Sequence, residues 1–217
     1  MHCFGKEYFR KAYHDYEKQN PACKMLFYKS LVERTLERGK PASIMDIGCA
    51  FGAFLSVADP SWRRFGMDVS EYALRTASRR APGAYFIAAD ANYLPVNFAV
   101  DAVVAFDSLE HVENLESAAA GIKKMLSSRG YFIFVVPVYD GPMAPIIRLL
   151  DHDTTHIHKE PRDFWLRWAK THFELCEWQG IVRYLFPAGV YLHVVTKILR
   201  HYTSAIAVVA RKKASES

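Results

Sequence analysis

The sequence contains few cysteines, and no two of them form a closely spaced pair. The four cysteines, at positions 3, 23, 49 and 176, lie far apart, which argues against a disulfide framework and against a CxxC-type zinc site. No apolar run reaches the ~18 residues that a membrane-spanning helix requires. The opening MHCFGKEYFRK also lacks the apolar segment of a signal peptide. These absences lead us to expect a cytoplasmic protein without a transmembrane segment.

The chain also lacks a strong charge imbalance. Its 28 basic residues exceed its 23 acidic residues by five, and they are spread along the sequence apart from the short run at 211–213. A terminal run of this kind is usually a solvated tail, so we expect no nucleic-acid partner. With 51% apolar and 24% charged residues, the 217-residue chain has the composition of one globular domain.

Strand-like and helix-like segments alternate from residue 43 onward. The strand-like runs are SIMDIG, RFGMDV, AYFIAAD, VDAVVAF and GYFIFVVPV, followed nearer the C-terminus by ELCEWQGIVRY and SAIAVVARK. Nearly continuous apolar strands with amphipathic helices between them predict an α/β fold with a doubly wound, mostly parallel, Rossmann-like sheet of seven strands. The last two strands lack a full crossover helix, so we expect one antiparallel strand at the sheet edge. Two helices, near 6–18 and 21–39, precede the sheet.

A glycine loop, GCAFG at 48–52, follows the first strand. Ligands of open α/β sheets bind beyond the carboxyl ends of the strands, and glycine lets the backbone approach a ligand closely. The loop lacks the third glycine of the dinucleotide fingerprint G-x-G-x-x-G, and it lacks the lysine of a P-loop. The loop therefore does not indicate a site for a pyrophosphate group. A plain strand-to-helix turn remains the alternative for this loop alone.

Acidic residues follow the next strands. Asp68 lies twenty positions after Gly48, where a carboxylate can accept both hydroxyls of a ribose and repels a 2′-phosphate. Since Ser70 is the better helix cap, we expect Asp68 to be available to a ligand. Asp90 can accept a hydrogen bond from an exocyclic amine, although an ordinary turn aspartate is an equal alternative. The segment DSLEH at 107–111 adds two acids, a serine and a histidine.

With these residues in this order, the segment 43–138 resembles the class I S-adenosylmethionine-dependent methyltransferases, in particular the small-molecule, type 11-like group. DIGCAFG corresponds to the family motif D-x-G-x-G-x-G, with Ala50 in place of the middle glycine. The resemblance implies S-adenosylmethionine (SAM) as cofactor and S-adenosylhomocysteine (SAH) as product. The residues that it implies as cofactor contacts are Asp46, Gly48, Cys49, Ala50 and Gly52 around the methionine part, Asp68 at the ribose, Val69, Asp90 and Ala91 at the adenine, and Asp107 nearby.

The N-terminal helix offers aromatic side chains for the sulfonium. Tyr8, Phe9 and Tyr13 lie at helical spacing, and aromatic faces attract cations by roughly 0.5–2 kcal/mol. We expect Tyr8 and Tyr13 to form part of a lid over the cofactor. Ordinary core contacts are the alternative for these side chains.

Methyl transfer is an in-line displacement that requires alignment, and it requires a base only where the acceptor must lose a proton. The candidates are His111 and the histidines of DHDTTHIH at 151–158, among which His156 is the preferred catalytic residue, with Asp107 as an orienting group. The same stretch contains metal-ligand types. A polar loop is the simpler interpretation, so we expect no metal site.

The resemblance predicts one methyltransferase domain in three parts, namely a helical lid at 1–40, a cofactor-binding core at 41–138 and a substrate-side half at 139–217. Two apolar inserts, GPMAPIIRLL and LFPAGVYLHVVTKIL, suit core packing, an acceptor pocket, a dimer surface or a weak membrane-surface contact, so the oligomeric state is open. We expect a small-molecule acceptor. The alternatives are a non-catalytic SAM-binding or interaction module and, less favoured by the glycine spacing, an NAD-dependent oxidoreductase.

Overall fold

A computed structural model describes residues 16–36, 42–94, 98–142, 144–151, 153–185 and 191–213. The helices are α1 Tyr16–Gln19, α2 Ala22–Thr35, α3 Ala53–Val57, α4 Glu71–Arg80, α5 Leu115–Met125, α6 Ala144–Leu150 and α7 Arg162–His172. The strands are β1 Ser43–Ile47, β2 Arg63–Asp68, β3 Tyr85–Ala88, β4 Val100–Phe106, β5 Leu126–Pro137, β6 Glu174–Leu185, β7 Tyr191–Thr196 and β8 Ala205–Arg211. Short 3₁₀ turns at Leu109–His111 and Arg200–Tyr202 complete the described elements.

The predicted α/β architecture is confirmed, with one difference in strand number. The sheet has eight strands in the order β3-β2-β1-β4-β5-β8-β6-β7, whereas the sequence predicted seven. Strands β1 to β5 pair in parallel, β8 runs antiparallel to both β5 and β6, and β7 runs antiparallel to β6 at the edge. The additional strand is β7, whose alternation of half-buried and exposed residues lies inside the second apolar insert.

Both faces of the sheet are buried, which is why its strands have nearly continuous apolar sequences. Along β1, Ile44 points into one apolar cluster and Met45 into the other. The Met45 cluster contains the buried side chains of α5 and α7, and the Ile44 cluster contains those of α2, α3 and α4. The two faces therefore belong to different helices, as a doubly wound sheet requires.

The helix boundaries follow local signals in most places. Ser70 caps α4 by accepting the Ala73 N–H at 3.3 Å, and Asn114 caps α5 by accepting the Ser117 N–H at 2.9 Å. At α2, however, Pro21 occupies the cap position, and the Asn20 amide donates instead to the carbonyl of Tyr16. Within the described ranges, no helix combines the length and the apolar character of a membrane span.

The strand order reverses between β1 and β4. Strand β1 leads to β2 on one side, whereas β4 leads to β5 on the other side, so the loops after β1 and β4 diverge at this point. A crevice at such a switch point is the usual ligand site of an open α/β sheet. The loop after β1 contains the two glycines, and the loop after β4 contains DSLEH.

Candidate active site

A cavity of about 820 Å³ opens at the carboxyl ends of β1 and β4. Its wall includes these predicted site residues: Asp46, Gly48, Cys49, Ala50, Asp107, His111 and His156. The wall does not include the other described candidates, which are Gly52, Asp68, Val69, Asp90 and Ala91. Tyr8 and Tyr13 lie outside the described residues, as do Phe9 and His152. The cavity thus brings together four of the five methionine-side candidates and both predicted catalytic histidines.

The glycine loop has a left-handed backbone that explains its composition. Gly48 has a φ of 73° and Gly52 a φ of 71°, and Ala50 between them has a φ of 45°. A Cβ on Gly48 would lie 2.5 Å from the Cβ of Ser108, whose hydroxyl donates to the carbonyl of Ile47 at 2.8 Å. The loop after β1 therefore touches the loop after β4, with no room for a side chain at position 48. Ala50 accepts the left-handed conformation at a modest cost.

Asp68 holds the glycine loop in place. One carboxylate oxygen accepts the Ala50 N–H at 3.0 Å, and the other accepts the Ser70 N–H at 2.9 Å. The carboxylate therefore closes the loop in addition to the ribose contact that the resemblance implies. Burial raises the pKa of Asp68 in spite of these two bonds, which lower it. A carboxylate has about four acceptor positions, so two remain for the hydroxyls of a ribose.

The other cofactor candidates differ in burial. Asp46 is 3% exposed, and burial together with the Asp68 carboxylate raises the pKa of Asp46 well above its usual range. Burial likewise raises the pKa of the Cys49 thiol. Val69 is exposed, and Asp90 accepts hydrogen bonds from the backbone and side-chain amides of Asn92 at 2.8 and 2.7 Å. The Asp90 carboxylate thus forms a local turn near the predicted adenine end.

Asp107 is the centre of a buried ion cluster. It has a φ of 55°, and its carboxylate accepts hydrogen bonds from the Tyr28 hydroxyl at 2.9 Å and from Arg183. Lys24 forms an ion pair with it at 2.9 Å. Burial acts to raise the pKa of Asp107, but Arg183 and Lys24 outweigh burial and hold the pKa well below its usual range. The predicted role of orienting a histidine is wrong, because these three partners occupy the carboxylate.

His156 is oriented by a different carboxylate, that of Asp151. Its Nδ1 lies 3.1 Å from the Asp151 Oδ2, which also accepts a hydrogen bond from the Tyr139 hydroxyl at 2.5 Å. Burial acts to raise the pKa of Asp151, but hydrogen bonds from Lys159, Tyr139 and His156 hold it well below its usual range. The carboxylate is therefore ionised and accepts the Nδ1–H, so in the neutral tautomer of this ring the lone pair is on Nε2.

His111 has the same tautomer. Its Nδ1 lies 3.0 Å from the carbonyl oxygen of Thr155, which can only accept, so the proton is on Nδ1. Burial lowers the pKa of His111 and favours its neutral form. The rings of His111 and His156 are 4.8 Å apart. His158, in contrast, lies outside the cavity wall, with its Nε2 2.8 Å from the carbonyl of Val112.

Glu110 is a site residue that the sequence interpretation did not single out. Its side chain is 1% exposed, and its Oε2 has no hydrogen-bond partner within the described part of the chain. Burial and the Asp107 carboxylate raise the pKa of Glu110 to about 7. It lies on the cavity wall next to His111 and His156. Its place in DSLEH was the available signal, but the burial of its carboxylate depends on the tertiary structure.

The fold and the site together define a class of protein. The sheet is doubly wound, a glycine loop without a lysine follows β1 at its switch point, and an acid, Asp68, ends the neighbouring strand β2. Residues 45–134 match the family model described as a methyltransferase domain. The resemblance to type 11-like class I enzymes is thereby confirmed for this segment, which is a SAM-dependent methyltransferase domain with SAM as its cofactor.

Solved structures with low sequence identity share this fold. A SAM-dependent methyltransferase from Thermotoga maritima, described as a possible histamine N-methyltransferase, has a TM-score of 0.69 at 13% identity, covering 94% of this chain and 98% of that one. The N-methyltransferase NodS from Bradyrhizobium japonicum, in complex with SAH, has a TM-score of 0.62 at 17% identity, with 87% of each chain covered. At these identities the structural similarities show a shared fold alone. No curated protein matches the sequence.

Proposed function

We propose that this methyltransferase transfers the methyl group of SAM to a small-molecule acceptor held beside His111 and His156. The observation that supports this proposal is one cavity that extends from the glycine loop to both histidines. A cavity of about 820 Å³ lies within the ~300–1,000 Å³ that small-molecule sites usually have.

The proposal assigns a task to each part of the chain. Asp46, Gly48, Cys49, Ala50 and Gly52 surround the methionine part of SAM, Asp68 binds the ribose hydroxyls, and Val69, Asp90 and Ala91 flank the adenine. The 1–40 segment is assigned the lid, and Tyr8 and Tyr13 stay predicted contacts of the sulfonium. The 41–138 segment binds the cofactor, and the 139–217 segment supplies the acceptor side, including His156. Asp107 supports the site through its ion cluster.

Methyl transfer to a panel of amines, phenols and thiols, with SAM labelled in its methyl group, tests the proposal. We expect label to move to at least one acceptor and SAH to accumulate. Tight binding of SAM without transfer to any acceptor class would instead favour a non-catalytic binding module.

His156→Gln is expected to lower turnover by about 100-fold or more when the acceptor must lose a proton. Glutamine lacks the basic Nε2 lone pair that His156 directs away from Asp151. The affinity for SAH is expected to stay unchanged, because His156 does not belong to the glycine loop. Turnover is measured with labelled SAM and affinity by calorimetry.

His158→Gln is the matched control for this variant. It lies two residues along the same loop, and a glutamine amide can still donate to the Val112 carbonyl that the His158 Nε2 contacts. We expect unchanged turnover in this control. Wild-type turnover in His156→Gln would remove His156 from the mechanism.

We also propose a cytoplasmic location for the enzyme. The described cysteines, Cys23, Cys49 and Cys176, are all free thiols. Unpaired cysteines are usual where the cell keeps thiols reduced.

A further inference from the structure

We propose that Glu110, His111 and His156 form a binding site for a divalent first-row transition-metal ion at the acceptor end of the cavity. One carboxylate oxygen and one imidazole nitrogen from each histidine lie within 4.8 Å of one another. Two imidazoles and one carboxylate are the protein ligands of many catalytic zinc and non-haem iron sites, where the remaining positions stay open for water or substrate. This inference departs from the sequence expectation of no metal.

Both histidines are held in the orientation that metal ligands have. Ligating imidazoles usually donate their second N–H to a carboxylate or a backbone carbonyl, which fixes the tautomer. The His156 Nδ1 lies 3.1 Å from the Asp151 carboxylate, and the His111 Nδ1 lies 3.0 Å from the Thr155 carbonyl. In each ring Nε2 is therefore the nitrogen with a lone pair to donate. These supporting hydrogen bonds come from residues outside the ligand set.

The third ligand supplies an independent observation. Glu110 is 1% exposed, and its Oε2 is buried without a hydrogen-bond partner among the described residues. A buried carboxylate oxygen without a partner is costly, and a cation in the cavity would satisfy it. The Glu110 carbonyl also accepts the N–H groups of Ile157 and His158 at 3.0 and 3.1 Å. These bonds tie the turn with Glu110 and His111 to the loop with His156.

The catalytic role that we assign to this ion rests on the proposed function. An acceptor hydroxyl would bind the ion through its oxygen and release its proton to water, because a metal ion makes a bound hydroxyl more acidic. The oxygen would then attack the methyl carbon of SAM. The carbon–sulfur bond breaks, its electron pair stays on sulfur, and SAH and the methyl ether are formed. When the ion is bound, the metal activates the acceptor in place of the lone pair of the His156 imidazole.

Titration of the metal-stripped full chain with Co²⁺ tests the site, because cobalt absorption reports coordination directly. We expect one ion per wild-type chain, with loss of affinity by about 100-fold or more in Glu110→Gln and in His156→Gln. Asp151→Asn keeps all three ligands and is expected to weaken binding by about 10–100-fold. His172→Gln alters a histidine paired with Glu116 at the surface, and it is expected to bind like the wild type.

SAH affinity and thermal unfolding, measured on the same variants, show whether each one is folded. Wild-type protein that takes up no cobalt would overturn the proposal, and so would wild-type cobalt affinity in Glu110→Gln and His156→Gln. Cobalt binding in a chain that binds neither SAM nor SAH would leave the metal site intact and contradict the proposed function instead.

Discussion

Gly48→Ala is expected to lower the affinity for SAH by about 100-fold or more, which corresponds to about 3 kcal/mol. An L-residue in the left-handed conformation of Gly48, with its φ of 73°, costs about 1–2 kcal/mol. The new Cβ would also lie 2.5 Å from the Ser108 Cβ. Ser108 cannot easily retreat, because its hydroxyl is bonded to the Ile47 carbonyl. The glycine loop must therefore move away from the cofactor position, and calorimetry with SAH measures the result.

Two companion variants separate this local effect from general backbone strain. Gly83→Ala has a similar φ of 82°, but its Cβ would meet only the Arg64 side chain, at 3.4 Å. We expect it to lower stability by about 1 kcal/mol and to leave SAH affinity unchanged. Gly48→Ala combined with Ser108→Gly removes the opposing Cβ and is expected to recover much of the affinity. Wild-type affinity in Gly48→Ala would show that the loop does not approach the cofactor.

Asp107→Asn is expected to lower the free energy of unfolding by about 3 kcal/mol. The substitution keeps the shape of the side chain but leaves Lys24 and Arg183 in a largely buried cluster without their shared counter-ion. Glu177→Gln is the matched control, because Glu177 also pairs with one arginine and one lysine, Arg34 and Lys197, but near the surface. It is expected to cost about 1 kcal/mol or less. Urea unfolding measures both variants.

A second substitution tests the cause of this loss. Asp107→Asn combined with Arg183→Met removes one of the two uncompensated cations and is expected to recover part of the stability. A double variant that is less stable than Asp107→Asn alone would show that charge imbalance does not cause the loss of stability.

The same cluster predicts a pH dependence. Burial acts to raise the pKa of Asp107, but Arg183 and Lys24 hold it below its usual value of 3.8 in the folded chain. The unfolded chain therefore binds more protons in acid, so this stabilisation is complete above about pH 4 and is lost as the pH falls through the folded pKa. In Asp107→Asn the free energy of unfolding should fall less steeply in acid. Asp151 and Asp153 shift in the same direction and contribute equally to both proteins.

The sequence predicted those parts of the fold and site that depend on local pattern. Continuous apolar strands indicate a sheet covered on both faces, and a glycine pair after β1 indicates a left-handed turn. Ser70 followed by Glu71 predicts the start of α4. Each of these signals lies within a few residues of the feature that it predicts.

The remaining features depend on contacts between distant residues. Tyr28, Lys24 and Arg183 reach Asp107 from α2 and β6, and no local spacing connects them. One oxygen of the Asp68 carboxylate accepts the Ala50 N–H because the loop after β1 folds back over the end of β2. Asp151, not Asp107, orients His156, because Asp107 is already neutralised. Strand β7 was not predicted because it lies in an apolar insert, where a short run of alternating residues also suits a pocket or an interface.

Calorimetric titration of the full wild-type chain with SAM, SAH and NAD tests the central claim most directly. We expect both sulfur compounds to bind at one site per chain, and we expect NAD to show no measurable binding. Binding of NAD with no binding of SAM or SAH would contradict the assignment of the glycine loop to the methionine end of SAM.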